Sequence, residues 1–407
     1  MPAKQKRRRV NPLRLLIVIL AVLALIGGAV FLVVKMLTPK GPEEPIVETI
    51  DPAEAEQKQE EEDNSAEVTE PEQSGTKVSL FFTGDGLLHE SVYMDAQNSD
   101  GSFDFSKQLD RIAAIAEPYD LQFYNQETIL GGTELGLYGY PTFNSPQEFG
   151  SYMVSKGFNL VSTANNHCLD MGLTGVTNSR KFWNAQPGVL MQGTNTTQQE
   201  YDEIAVKEIN GMKIAFLAWC ENTNGIAPET DYEVNYFPGN EDAVLRKVAQ
   251  AKAENDAVIV SMHWGTEYSM EVNDIQSSLA RKLADAGADV IIGNHVHVIE
   301  PFEWIGDSVC FYAMGNLLSS QIDVENRIGM MAGLDLVKTD DGVKIENLRA
   351  DLHYTYLEGE YPDLRTNIQV YPFSQLNDSI LPDHERIYAE FQRVMTSLDN
   401  NIQIGGV

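Results

Sequence analysis

Apolar residues along this chain fall into short runs separated by stretches of helical spacing. VSLFFTGD ends at Asp85, Leu121-Gln122-Phe123-Tyr124 leads into Asn125-Gln126-Glu127, NLVSTANNH ends at His167, AVIVSMHWG contains His263, and ADVIIGNHVH ends at His297. Short apolar runs bounded by Gly, Asn or Asp predict buried strands. Between them, apolar residues at i, i+3 and i+4 predict helices over 105–115, 174–183, 240–253 and 274–286. Ser145-Pro146 reads as an N-cap with Pro at the first helical position of a helix reaching about Lys156. Residues 203–220 predict a hairpin around Asn210-Gly211, and Asp341-Gly342 predicts a later one. Alternation of strands and helices predicts one large α/β domain over 76–355, with two packed sheets, a largely parallel core and antiparallel strands added by the late hairpin. Residues 356–407 read as an extension with a terminal helix near 383–397.

The start of the chain follows a different pattern. Residues 1–14 hold Lys4, Lys6, Arg7, Arg8, Arg9 and Arg14, and a nearly unbroken apolar run extends from Leu15 to Val34. As a helix that run spans about 30 Å, the thickness of a hydrocarbon core. It predicts a transmembrane anchor over 15–37. A cleaved signal peptide shares the charged front, but this run exceeds the usual signal core and no small-x-small pattern follows Lys35. The positive-inside rule then leaves the basic N-terminus in the cytoplasm and the main domain outside a cell membrane crossed once. Residues 38–75 shift to Pro, Glu, Gln and Ser, with thirteen acidic residues against Lys58 between 41 and 75. Low hydrophobicity with charge of one sign cannot offset the entropy of ordering, so this stretch reads as a disordered acidic linker.

Charge and cysteine usage narrow the function. The formal net charge is −31; residues 1–40 carry eight basic groups and no acid, so residues 76–407 alone carry −27. A body this acidic is a poor partner for nucleic acid, whose phosphates need cations. Any anionic substrate has to be attracted locally, through metal ions, against the overall field. Cys168, Cys220 and Cys310 are too widely spaced for a disulfide framework or a zinc ribbon and read as small buried hydrophobes, although Cys168 adjoins His167. Neither a Walker loop nor G-x-G-x-x-G follows any predicted strand, so a nucleotide cofactor of those classes is not supported.

The candidate chemistry sits at the strand ends. Five of seven histidines, His89, His167, His263, His295 and His297, lie at or just beyond apolar runs. Groups just outside the carboxyl ends of strands in an α/β sheet converge in one crevice. In extended backbone the i, i+2 spacing of His295 and His297 puts both rings on one side, a ready metal half-site. Asp85 and Glu127 offer carboxylates for cations that need a bridging ligand. Glu267 and Tyr268 read either as pocket wall or as plain structure, His89 reaches the site if the segment after Asp85 is helical, and Arg281 and Lys282 read as a solvated helix face.

Six blocks occur in order: Gly84-Asp85, Asn125-x-Glu127, Ala164-Asn165-Asn166-His167, His263-Trp264-Gly265-x-Glu267-Tyr268, Gly293-x-His295-x-His297 and Tyr312-x-Met314-Gly315-Asn316. Over about residues 78–320 they resemble the CapA-type poly-γ-glutamate capsule biosynthesis family, relatives of calcineurin-like metallophosphoesterases. The resemblance implies a four-layer α/β/β/α metallophosphoesterase-like sandwich holding two divalent ions, Mn, Fe or Zn. Its ligands would be Asp85, Glu127, Asn166, His263, His295 and His297, with His167 beside them as general acid. This chain departs from the family at Gln126, Asn294 and Val296, and Asp85-Gly86-Leu87 lacks the imidazole of Asp-x-His, so one ion site is expected to be poorer in ligands. The function implied is a membrane-anchored extracellular metal-dependent hydrolase acting on a phosphoester or anionic polymer in capsule or envelope assembly. Two alternatives stay open: a non-catalytic subunit docked beside membrane polymer-synthase subunits, and a secreted nucleotidase or phosphodiesterase using Tyr138, Tyr140 or Phe143 to stack a base.

Overall fold

Strand residues of period two divide the apolar side chains of this protein between separate cores. The computed structural model describes residues 76–360 and 362–407. The predicted anchor and acidic linker lie outside the described residues; among the described residues no helix is long and apolar enough to cross a membrane. Strands β1 (Lys77–Gly86), β2 (Leu121–Asn125), β3 (Leu160–Ser162) and β4 (Leu190–Gln192) run parallel in one sheet. A second sheet is built from β5 (Ala205–Ile209), β6 (Met212–Cys220), β7 (Ala257–His263), β8 (Val290–Asn294), β9 (Phe302–Ile305) and β10 (Ser308–Phe311), in the order β5-β6-β7-β8-β10-β9. The chain then returns to the first sheet through β11 (Asn316–Leu318), β12 (Ile328–Thr339), β13 (Gly342–Glu358), β14 (Thr366–Pro372) and β15 (Gln403–Ile404), giving the order β14-β13-β12-β1-β2-β3-β4 with β11 on β1 and β15 on β13.

One core lies between the sheets. Val78, Leu80 and Phe82 of β1 pack there with Ile214 and Phe216 of β6 and Ile292 of β8. The alternate residues face outward onto helices. These are α1 (Glu90–Asp95), α2 (Ser106–Ala116), α3 (Gln147–Ser155), α4 (Gly172–Asn184), α5 (Gln198–Asp202), α6 (Glu241–Glu254), α7 (Asp274–Asp285) and α8 (His384–Met395). Phe81 and Tyr124 meet Leu109 and Ile112 of α2, Phe149 of α3 and Trp183 of α4. On the other side, Leu217 and Val260 meet Val248 of α6 and Leu279 and Leu283 of α7. Helices, sheet, sheet, helices is therefore the layer order, each layer set by strand alternation.

Two details differ from the sequence reading. Ser145 does not cap α3: its hydroxyl contacts Thr128 Oγ1 at 2.8 Å, and the helix begins at Gln147 after an extended Pro146. The tertiary hydroxyl pair outcompetes the local cap. The boundary expected near residue 355 falls inside β13, where Tyr354 pairs with Tyr371 of β14, so the C-terminal segment extends the first sheet. Ile387, Phe391 and Met395 of α8, spaced i, i+4, close the inter-sheet core.

Close backbone contacts bring the ends of β1 and β8 to the same place. Asp85 N donates to Gly315 O at 2.9 Å, and a Cβ on Gly84 would lie 1.7 Å from that oxygen. At Gly293 a Cβ would lie 1.7 Å from Tyr312 O, to which Trp264 Nε1 donates. Gly84→Ala is expected to lower stability by about 2–4 kcal/mol, because the strands must separate. Thermal unfolding checks this; an unchanged Tm would contradict the close approach.

Candidate metal centre

Each predicted ligand lies at the carboxyl end of a strand or just past it, on both sheets. Asp85 is the ninth residue of β1, Glu127 follows β2 by two, Asn166 follows β3, His263 closes β7, and His295 and His297 follow β8. All six are buried, Asp85 and Glu127 completely. Ligand atoms of Glu127, His263 and His295 lie within 4.8 Å of one another, and so do those of Asp85, Glu127 and His297. Glu127 belongs to both groups. His263 Nε2 lies 2.9 Å from Asn166 Oδ1, 3.1 Å from His295 Nδ1 and 3.8 Å from Glu127 Oε1. His297 has Nδ1 3.7 Å from Asp85 Oδ2 and Nε2 3.7 Å from Glu127 Oε1. The first group thus gathers four donors when Asn166 is counted and the second three, matching the missing imidazole near Asp85.

The i, i+2 histidines do not act through extended backbone, as their spacing suggested. β8 ends at Asn294, and His295 (φ 101°) and His297 (φ 61°) both adopt left-handed backbone. Such strain costs on the order of 1–3 kcal/mol per non-glycine residue and persists only where the surroundings enforce it. Here His295 N donates to Asp85 Oδ2 at 3.2 Å, and Asn316 Oδ1 lies 3.1 Å from His297 Nδ1. Asn125 joins the sheets, its Nδ2 being 2.7 Å from Asp85 Oδ1 and 3.3 Å from His263 Nδ1.

The donors fit a divalent cation. Both Glu127 oxygens are buried without a hydrogen-bond partner. Burial, reinforced by the charge of Asp85, pushes the Glu127 carboxyl well above its usual range, and burial raises Asp85 to about 7. Burial also lowers His295 to about 4, His297 to about 3 and His263 well below the usual value, so these rings are neutral. Neutral imidazoles facing carboxylates that lack a counter-charge are the donor set a cation satisfies. Mixed carboxylate and imidazole donors suit Mn, Fe or Zn.

His167 stands beside this cluster, with Nδ1 2.8 Å from Asp170 Oδ2, and it reaches the wall of a cavity of about 440 Å³. Asp170 also accepts from Phe143 N at 2.6 Å, and the Phe143 ring meets His167 edge-on at 4.7 Å. His89, Glu267, Tyr268 and Tyr140 line the same cavity. Cys168, by contrast, packs into the inter-sheet core, and Arg281 and Lys282 pair with Glu303 and Glu241 at the surface. Sequence reasoning gave no role to Asp170, three residues past His167, or to Asn224, whose Oδ1 is 3.4 Å from Asn166 Nδ2. The i, i+3 spacing was a usable signal for Asp170; Asn224 sits in the loop after β6 with none.

Comparison with known proteins gives this arrangement a family. The family model described as "Bacterial capsule synthesis protein PGA_cap" matches residues 79–321, which contain every residue of the cluster. The chain belongs to this family. Relatives of this PGA_cap member include the PGA biosynthesis protein CapA of Bacillus subtilis (strain 168), 30% identical over 197 residues that make up 48% of this chain and 51% of that one. The capsule biosynthesis protein CapA of Bacillus anthracis is 31% identical over 170 residues, 40% of this chain and 41% of that one. The chain therefore spans about half the length of the curated relatives it matches. Among solved structures, the 5'-nucleotidase precursor from Thermus thermophilus is similar at a TM-score of 0.44 and 11% identity, covering 78% of this chain and 59% of that one. A hypothetical protein from the same organism gives a TM-score of 0.40 at 15% identity, covering 67% and 98%.

Because burial raises Asp85 to about 7 and pushes Glu127 well above its usual range, metal binding is expected to displace protons from these carboxyls. Titrating chelator-treated protein with Mn²⁺ in buffers of differing ionisation enthalpy is expected to show proton release at pH 7, and affinity rising as pH goes from about 6 to about 8. Affinity independent of pH would contradict the arrangement. Glu127→Gln is expected to lose ions from both groups at once; a variant that still binds them with wild-type affinity would show that Glu127 is not shared.

Proposed function

We propose that the chain is a metal-dependent phosphoester hydrolase with a metallophosphoesterase-like catalytic domain, working in the assembly of a capsule or cell-envelope polymer. The observation that carries this reading is the pair of overlapping donor groups sharing Glu127, with His167 beside them at a cavity wall. Residues Glu127, Asn166, His263 and His295 would hold one ion, and Asp85, Glu127 and His297 a second. When bound, divalent cations supply Lewis acidity, which acidifies water and offsets charge on a leaving oxygen.

The chain's own residues do the rest. Asp170 Oδ2 lies 2.8 Å from His167 Nδ1 and accepts its N–H, which fixes the ring and favours the imidazolium, the form whose second N–H, on Nε2, would serve a leaving group. Phe143 packs edge-on against the ring and keeps it in place. Asn125 and Asn316 orient Asp85 and His297, so the donors are aimed before any ion arrives.

The reading includes a place for the protein. The basic front and the apolar run of residues 15–34 support a single-pass anchor, with the catalytic domain outside the cell membrane on an acidic linker. The names of the two Bacillus relatives support work in capsule biosynthesis, and the reading places the anchored domain beside membrane polymer-synthase subunits. Turnover of simple phosphomonoesters and phosphodiesters by Mn²⁺-loaded protein tests the reading. His167→Ala is expected to lower kcat by about 10²–10⁴-fold with bound metal unchanged. Bound metal with no turnover, or turnover indifferent to His167→Ala, would favour a non-catalytic binding subunit.

A further inference from the structure

Two cavities adjoin beside the metal cluster. The first, about 440 Å³, reaches His167 and His297; the second, about 620 Å³, continues past Ile322, Asp323 and Glu325. They share His89, Tyr140, Tyr268 and Gln321, so they form one groove leading outward from the cluster. Among the described residues lining either cavity, no lysine or arginine is present. Carboxylates are: Asp170 and Glu267 in the inner part, Asp323 and Glu325 in the outer. Asp170 is committed to His167 and Phe143, whereas Glu267, Asp323 and Glu325 are exposed and have no basic partner within salt-bridge distance among the described residues. Tyr140 is 79% exposed and Tyr268 58%, and Ile322 beside them is 60% exposed.

We infer that this groove selects phosphoesters whose non-reacting part is uncharged and carries a ring, and that Glu267, Asp323, Glu325, Tyr140 and Tyr268 impose the choice. The inference rests on the hydrolase reading and states what that site accepts. Cations at the cluster neutralise only the group they touch. A second negative charge further along the substrate meets three carboxylates with no counter-charge, inside a body already at −27. Exposed tyrosines and an isoleucine offer an apolar face to a planar or pyranose ring. A polyanion such as oligo-γ-glutamate would lay successive carboxylates against the acidic wall, so it is not the species this groove holds.

The test uses Mn²⁺-loaded full-length protein and compares kcat/KM for p-nitrophenyl phosphate, glucose 1-phosphate and phosphoglycolate. At least one ring ester is expected to exceed phosphoglycolate by about a hundredfold, and whichever leads identifies the ring as aryl or glycosyl. Raising salt from about 0.05 to about 0.5 M is expected to improve phosphoglycolate and leave the ring esters unchanged, since screening relieves only the repelled substrate. Combined Glu267→Lys, Asp323→Lys and Glu325→Lys substitution is expected to narrow the ratio by about tenfold or more. Calorimetry with phenylphosphonate and phosphonoacetate gives a readout independent of turnover, the first binding more tightly. Turnover with equal or better use of phosphoglycolate overturns the inference while the hydrolase reading stands. Absent turnover with phenylphosphonate still preferred overturns the hydrolase reading and leaves the selectivity in place. If there is no turnover and neither phosphonate binds, both fall.

Discussion

A carboxylate buried with neither oxygen hydrogen-bonded is an expensive thing for a fold to keep, and Glu127 is such a group. Leaving an ionised carboxylate unpaired in the interior costs several kcal/mol even after relaxation, and protonation is the usual escape. Asp85, three histidines and Asn166 surround it in two overlapping groups, so that two cations sharing Glu127 would relieve the whole set together. Much of the surrounding architecture is explained by the need to hold these groups apart from water and close to one another.

The two sheets meet this need by different means. From the first come Asp85, Glu127 and Asn166 at successive parallel strand ends; from the second come the three imidazoles. Asn125 reaches across from Asp85 to His263, and the glycines at 84 and 293 let strands approach closer than any side chain allows. Left-handed backbone at His295 and His297 stores local strain that the interior packing offsets, consistent with a site whose geometry is imposed rather than relaxed.

Strand and helix positions were legible because burial on both faces leaves continuous apolar runs and helix faces leave a 3.6-residue period. The residues that gather in the cluster were legible for a related reason: polar groups placed immediately after such runs have few structural uses. The resemblance then supplied roles for Asn166 and His167 that the residues alone did not. Long-range features escaped. The strained turn at His295 depends on a hydrogen bond to Asp85, more than two hundred positions away, and nothing local encodes it. Ser145 has the chemistry of a cap, but Thr128 takes its hydroxyl. The chain past residue 355 lacked motifs, yet Val370 and Phe391 are buried and bring that segment into the body.

An acidic exterior around a cation-seeking interior gives the chain a consistent electrostatic character: divalent metal is drawn inward, and surplus anionic groups are held off. The claim on which this depends is that Glu127 bridges two ions. Anomalous scattering from crystals grown with Mn²⁺ measures it directly. The account predicts two peaks that share Glu127, one also contacting His263 and His295 and the other Asp85 and His297; peaks elsewhere, or none with Glu127 hydrogen-bonded to protein instead, would contradict it.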